Sequence, residues 1–385
     1  MRKLTWVVAG SALLAATAMG GAAQAQIKVG VVLSLSGVVS SIGLPYERGI
    51  AAGMETVSEV GGQKIEIIKL DDASDPATSA KDARKLIEED KVDILMGSAG
   101  TPASQALYSV AAEEKVPTII LANTFVAGER GDYEITIPQP PKLMVAADIE
   151  HMKKAGIHTV AYIGYSDGWG DDVYNALKET AEPAGIKVIT NERFARADTS
   201  VNAQILKIIA AHPDTVLTGG SGSPGALPHL ALYEHGWRGP EYSTHAVINK
   251  EFVRVGGTAV EGVIAPTGPV VVAEQLPESN PIRAVSLKFR AAYEKLYNQP
   301  VPDAFAPYAY DGWLIMADSA KRALATGAKP GTPEFRKAMR DAMVTTTNLV
   351  GTHAVYNFRP DQRFGTDERS RVMVELEKGN WKLLQ

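Results

Sequence analysis

The feature that most constrains the fold is an alternation, beginning at Ile27, of short apolar runs with amphipathic stretches. IKVGVVLSL (27–35) reads as a buried strand and 46–60 as a helix. IEIIKLDD (65–72) is the next strand, and a helix opens at Asp75–Pro76, where Asp suits the N-cap and Pro the first helical position. VDILMG (92–97) follows. Its helix opens at Thr101–Pro102 and carries Leu107, Val110 and Ala111 on one face. VPTIIL (116–121) is the fourth strand. A strand–helix rhythm of this kind predicts a parallel sheet covered by helices on both faces.

The rhythm breaks at ITIPQPPK (135–142) and then restarts. A helix at 143–155, strand HTVAYIG (158–164), helix 171–182, strand IKVITNERF (186–194), helix 203–211 and strand DTVLTGG (214–220) form a second unit of similar build. A second proline-bearing segment, IAPTGPV (264–270), marks a return crossing. Helices at 285–297, 304–325 and 334–343 then rejoin the first unit, and the tail closes as a hairpin. The expectation is an α/β protein of two Rossmann-like lobes, 26–138 with 269–345 and 139–268 with 346–385. Several crossings between them make a hinge beside a cleft. In such sheets ligands lie beyond the carboxyl ends of the strands.

The first 25 residues stand outside this pattern. Arg2 and Lys3 precede an apolar stretch at 6–19, and Ala23-Gln24-Ala25 is an A-x-A cleavage site, so a secretory signal peptide ending before Gln26 is expected. The chain has no cysteine, hence neither disulfides nor a thiol for lipid anchoring at the cleavage point. A periplasmic location follows as the expectation. No later apolar run approaches the ~20 residues that cross a bilayer. The 39 basic residues against 44 acidic ones are intermixed, which argues against a nucleic-acid footprint.

The turn GSAGTPAS (97–104) passes from strand to helix through small residues, a place where backbone N–H groups can hold an anion. It is not a P-loop, because no Lys follows the last Gly, and GxGxxG is missing after the first strand. Taken alone it is equally an N-cap turn. Repetition changes its weight: ILANTF (120–125), YSDGWGDD (165–172), LTGGSGSPG (217–225) and YSTHAVIN (242–249) are also turns directly after strands. Five such turns converge on one cleft mouth. Seven histidines are present, yet no G-x-S-x-G elbow and no H-E-x-x-H spacing accompanies them. Asp71 and Asp72, adjacent on a strand, face opposite ways. Binding without turnover is therefore expected, with no cofactor and no metal. A periplasmic α/β enzyme stands as the alternative of another class.

The order of IKVGVVLSLSG, AAGMETVSEVGG, IEIIKLDDASDPATSAKDARKLIEED, ILMG and YAYDGWLIMADSAKRA resembles the leucine/isoleucine/valine-binding type of periplasmic solute-binding protein. The resemblance spans essentially all of the chain after residue 25. It implies three crossovers, closure over a small carboxylate, and delivery to the permease of an ABC importer by a monomeric receptor. The carboxylate would be held by Gly100, Thr101 and the turn Ala122-Asn123-Thr124. Trp169 would supply the second lobe's aromatic. Ser221 stands where the family commonly has Tyr, and His245 where it has the acid that receives the ammonium of an amino acid. Ile42 falls near the aromatic position after the first strand, and Tyr308 or Tyr310 comes from the returning helix. An ammonium left unpaired in a dry cleft costs several kcal/mol. The change to His245, with room freed at Ser221, therefore implies a carboxylate without an α-ammonium, an aromatic or 2-oxo acid. The alternative within the family is a branched-chain or other amino acid. A sensor subunit would bind the same ligand for another partner.

Overall fold

The computed structural model describes residues 26–124, 128–301, 303–359 and 361–384, the side chains of 128–130 excepted. The expected signal peptide, 1–25, lies outside the described residues. The first sheet comprises β1 (Ile27–Leu33), β2 (Glu59–Val60), β3 (Gln63–Asp71), β4 (Ile94–Gly97), β5 (Thr118–Ile120) and β6 (Glu134–Thr136), in the order β2-β3-β1-β4-β5-β6. All pairings are parallel except the β2–β3 hairpin. Val29, Val31, Val32 and Leu33 of β1 are all fully buried, as a central parallel strand covered on both faces requires. Helices α1 (Ser40–Thr56), α2 (Pro76–Glu88) and α3 (Thr101–Glu113) connect the strands.

The second unit runs α4 (Pro141–Lys154), β7 (Thr159–Tyr165), α5 (Gly168–Ala181), β8 (Lys187–Phe194), α6 (Asn202–Ala210), β9 (Thr215–Gly219), α7 (Leu227–Glu234), β10 (Glu241–Ser243), α8 (Lys250–Gly256) and β11 (Ile264–Thr267). The chain returns through α9 (Pro281–Tyr297), α10 (Phe305–Ala325) and α11 (Pro333–Met343) to a small hairpin, β12 (Leu349–Val350) with β13 (Val355–Tyr356). It then crosses again to β14 (Val372–Glu377) and β15 (Asn380–Leu383). The second sheet has the order β15-β14-β11-β10-β9-β7-β8, parallel except that β14 runs antiparallel to both β11 and β15. The result is two α/β lobes, joined by crossings near 137–140, 268–280 and 357–371.

Two local expectations are corrected. The helix expected at 46–60 begins at Ser40 and ends at Thr56, with Pro45 inside it. Pro45 has no N–H to give to the Ser41 carbonyl one turn earlier. That carbonyl accepts instead from Asn249 Nδ2 of the other lobe, at 2.6 Å. At the other end, Gly61 and Gly62 take φ of +57° and +78°, the left-handed turn that folds 59–60 back on β3 instead of prolonging the helix. Residues 349–356, grouped from sequence with the second lobe, pack on the first lobe's helices: the Tyr356 hydroxyl donates to Asp311 of α10. From β14 onward the tail lies in the second sheet.

Candidate functional site

A cavity lies between the lobes, beyond the carboxyl ends of both sets of parallel strands. The first lobe contributes Ile42 and Tyr46 of α1, Ala99, Gly100 and Thr101 after β4, Leu121, Ala122 and Asn123 after β5, and Pro138 after β6. The second lobe contributes Trp169 after β7, Arg196 after β8, Ser221 after β9, and His245 and Ala246 after β10. Phe305 and Tyr308 enter from α10. The lobes are closed on this space: Trp169 keeps 4 % of its surface exposed, His245 3 % and Tyr308 1 %. Ser41 is the seam, its Oγ accepting from Ser223 N at 3.1 Å and its carbonyl from Asn249.

Each wall has a local cause. In the first lobe, Asp72 is fully buried and accepts from Ser34 Oγ at 2.7 Å, Ser98 Oγ at 2.5 Å and Ser74 N at 2.9 Å. This network fixes the turn that leads into α3. That helix has Gly100 at its N-cap and no side-chain cap, whereas α2 is capped by Asp75 and α5 by Asp167. Pro102 has no N–H, so Thr101 is the α3 residue that brings a first-turn amide to the cavity wall, with the positive end of the helix dipole behind it. Thr101 Oγ1 is turned away to the Asn123 carbonyl at 2.9 Å, tying the two turns together. Tyr46 donates to the Leu121 carbonyl and packs edge-on to Phe305.

In the second lobe, Asp167 positions two groups at once. Its Oδ1 accepts from Trp169 N and Gly170 N, at 3.0 and 3.3 Å, while its Oδ2 pairs with Arg196 Nε at 2.6 Å. Arg196 Nη1 also donates to Ser221 Oγ at 2.9 Å, and the guanidinium lies 4.1 Å over the Tyr165 ring. The guanidinium carries five N–H donors. With two of these bonds made, it keeps donors for a guest. Trp169 meets the His245 ring edge-on at 5.7 Å. Burial pushes His245 down to about 3, so the ring is neutral, and its Nδ1 has no partner. Behind it Ser243 accepts from Thr218, whose hydroxyl contacts His229, itself bonded to Glu241.

Of the residues singled out from sequence, Ile42, Gly100, Thr101, Ala122, Asn123, Trp169, Ser221, His245 and Tyr308 line this cavity. Thr124 is buried beside it and does not line it. Tyr310, two residues beyond Tyr308, lies on another face of α10, with its ring 4.7 Å from that of Phe289 on α9. The main omission is Arg196. It sits in the turn directly after a strand, ARAD following IKVITNERF, so the rule that picked out the other five turns would have found it. Tyr46 and Phe305 also line the space; from sequence they are only helix residues.

Among the described residues the lining holds no Asp or Glu, and Arg196 is its one charged side chain. Among the described residues no group of three or more His, Asp or Glu is placed to hold a metal, and no helix is long and apolar enough to cross a membrane.

Comparison with known proteins agrees with this architecture. The family model described as periplasmic binding protein matches residues 26–378. A Leu/Ile/Val-binding protein homolog of Brucella abortus is 28 % identical over 331 residues, 82 % of this chain and 83 % of that one. An extracellular ligand-binding receptor from Rhodopseudomonas palustris superposes with a TM-score of 0.90 at 38 % identity, covering 94 % of this chain and 99 % of that one. A leucine-binding protein from Thermotoga maritima shares the fold, with a TM-score of 0.81 at 21 % identity over 93 % of this chain and 98 % of that one. These findings remove the enzyme alternative. The chain belongs to the periplasmic binding protein family, with the two-lobed fold of its solved members.

Proposed function

We propose that the interlobe cavity captures a small carboxylate lacking an α-ammonium, an aromatic or 2-oxo acid, for delivery to an ABC importer. The observation that carries this reading is the charge of the lining, which among the described residues is one guanidinium and no carboxylate. A carboxylate entering there meets Arg196 and the Ser221 hydroxyl from one lobe and the uncapped start of α3 at Gly100 and Thr101 from the other. Contact with both lobes at once makes binding and closure one event. An α-ammonium, by contrast, finds only carbonyl oxygens and a neutral His245, and the same guanidinium repels it. The remaining walls, Trp169, Tyr46, Phe305 and Tyr308, suit a flat or apolar body.

Branched-chain amino acids are the second reading, supported by the names of the Brucella relatives. A thermal-shift panel separates the two, since a ligand that binds only the folded state stabilises it by mass action. Benzoate, 4-hydroxybenzoate, phenylpyruvate and 4-methyl-2-oxopentanoate are expected to raise the melting temperature. Leucine, isoleucine, valine and phenylalanine are expected to leave it unchanged, and the reverse pattern would overturn the assignment. Export is part of the same proposal. Mass spectrometry of the periplasmic fraction should find a chain starting at Gln26, and retention of residues 1–25 would contradict it.

A further inference from the structure

One ring of the cavity wall is linked, through hydrogen bonds and close packing, to all three crossings between the lobes. Tyr308 faces the cavity, and its hydroxyl donates to Gln139 Oε1 at 2.5 Å in the first crossing. Gln139 Nε2 in turn donates to the Ser370 carbonyl at 2.6 Å in the third crossing. Behind Tyr308 the His353 ring is stacked, with centroids 3.7 Å apart and planes 12° from parallel. His353 Nε2 contacts the Ala304 carbonyl at 2.9 Å, so that nitrogen carries the proton. Its Nδ1 faces Gly268, where the second crossing begins. A Cβ on Gly268 would stand 1.7 Å from that nitrogen, so only glycine fits. Tyr308, Gln139, His353 and Ser370 are all buried, the most exposed at 1 %.

We propose that Tyr308, Gln139 and His353 form the relay by which an occupied cavity holds the three crossings in their closed arrangement, Gln139 and His353 being positioning residues that act through Tyr308. The proposal rests on the interlobe cavity being the ligand site, but not on which carboxylate fills it. The mechanics follow from the packing. A guest against the Tyr308 ring cannot push it backward, because His353 is backed by the Gly268 backbone. The ring is thereby fixed, its hydroxyl is held on Gln139, and Gln139 is held on Ser370. Without a guest nothing presses the ring against His353, and the chain of bonds loses its stop. A receptor whose closed state is only partly populated binds more weakly by that fraction. Breaking the relay should therefore reduce closure and affinity together.

The absence of native cysteine permits a clean distance measurement. Lys81 on α2 and Glu182 just after α5 are exposed on opposite lobes, and a Lys81→Cys, Glu182→Cys chain takes a donor–acceptor dye pair. Energy transfer reports closure, and calorimetry on the same protein reports binding, with phenylpyruvate and leucine as probes. In Tyr308→Phe and Gln139→Met, the ligand-induced change in transfer is expected to fall by at least half and the dissociation rate to rise about fivefold or more, with melting temperatures near that of the parent. Gln139→Glu, which keeps an acceptor for the Tyr308 hydroxyl, should retain more of the change than Gln139→Met. Tyr310→Phe, on the other face of the same helix, should behave as the parent. Full closure amplitude and parental off-rates in both relay variants would overturn the relay while leaving the ligand site intact. No heat from either probe on the parent would overturn the ligand site, and the relay with it.

Discussion

Replacing Arg196 by Gln tests the charge logic of the cavity. The guanidinium is 13 % exposed, bonded through Nε to Asp167 and through Nη1 to Ser221, and stacked on Tyr165. Its remaining donors are what a ligand carboxylate would use. A hydrogen bond to a charged group is worth about 1.5–3 kcal/mol, and leaving a carboxylate short of its partner in a dry cleft adds to the loss. The expected penalty is about 2–4 kcal/mol, or roughly 30- to 1000-fold in Kd. Arg196→Lys keeps the charge but not the planar fork, and should lose about tenfold. The structural cost is separable. Asp167 still accepts from two backbone amides, so the loss of stability is of the order of the lost pair and ring contact, about 1–2 kcal/mol. In a chain of this size that is a fall of about 1–3 °C in Tm. Calorimetry with the tightest carboxylate of the panel and with its neutral amide gives the decisive ratio. The parent should prefer the acid strongly, and the Arg196→Gln variant should lose most of that preference. A variant that binds the acid within threefold of the parent, with the acid-to-amide ratio unchanged, would refute the reasoning.

Two further outcomes are expected. Asn249→Asp keeps the cap on Glu251 N and Phe252 N but exchanges the donor to the Ser41 carbonyl for a charge, so ligand off-rates by stopped flow should rise about tenfold while the melting temperature of the empty protein hardly moves. His245 is held near 3 by burial, below its ordinary value, so the unfolded chain takes up a proton below pH ~6.5 that the folded chain refuses. Its contribution is intact above that pH and lost as the pH falls toward 3. Asp303 and Asp311, both raised to about 6 by burial, act in the opposite sense, so the comparison must be between the parent and His245→Asn. Denaturant titrations should show the variant gaining about 2 kcal/mol on the parent between pH 8 and 5, and parallel pH profiles would contradict the assignment.

The architecture was legible because a parallel sheet writes itself as repeated apolar runs with helices between, and because small-residue turns after those runs mark the carboxyl edge. Nine of the eleven residues singled out meet in one cavity for that reason. What stayed hidden depends on side-chain reach and helix phase. Arg196 comes from a strand at the far edge of the sheet and reaches the cavity only by extending over Tyr165 toward Ser221. Tyr308 and Tyr310 differ by two helical steps, and their spacing alone does not say which faces the cleft. The early start of α1 could not be read either, since the Ser41 carbonyl stranded by Pro45 is satisfied by an asparagine about two hundred residues away.

The central claim is that this cleft accepts a carboxylate and refuses an α-ammonium. Calorimetry with two compounds that differ only there, phenylpyruvate and phenylalanine, tests it most directly. The oxo acid is expected to bind with at least a tenfold lower Kd, a difference of about 1.4 kcal/mol or more. Tighter binding of phenylalanine would contradict it.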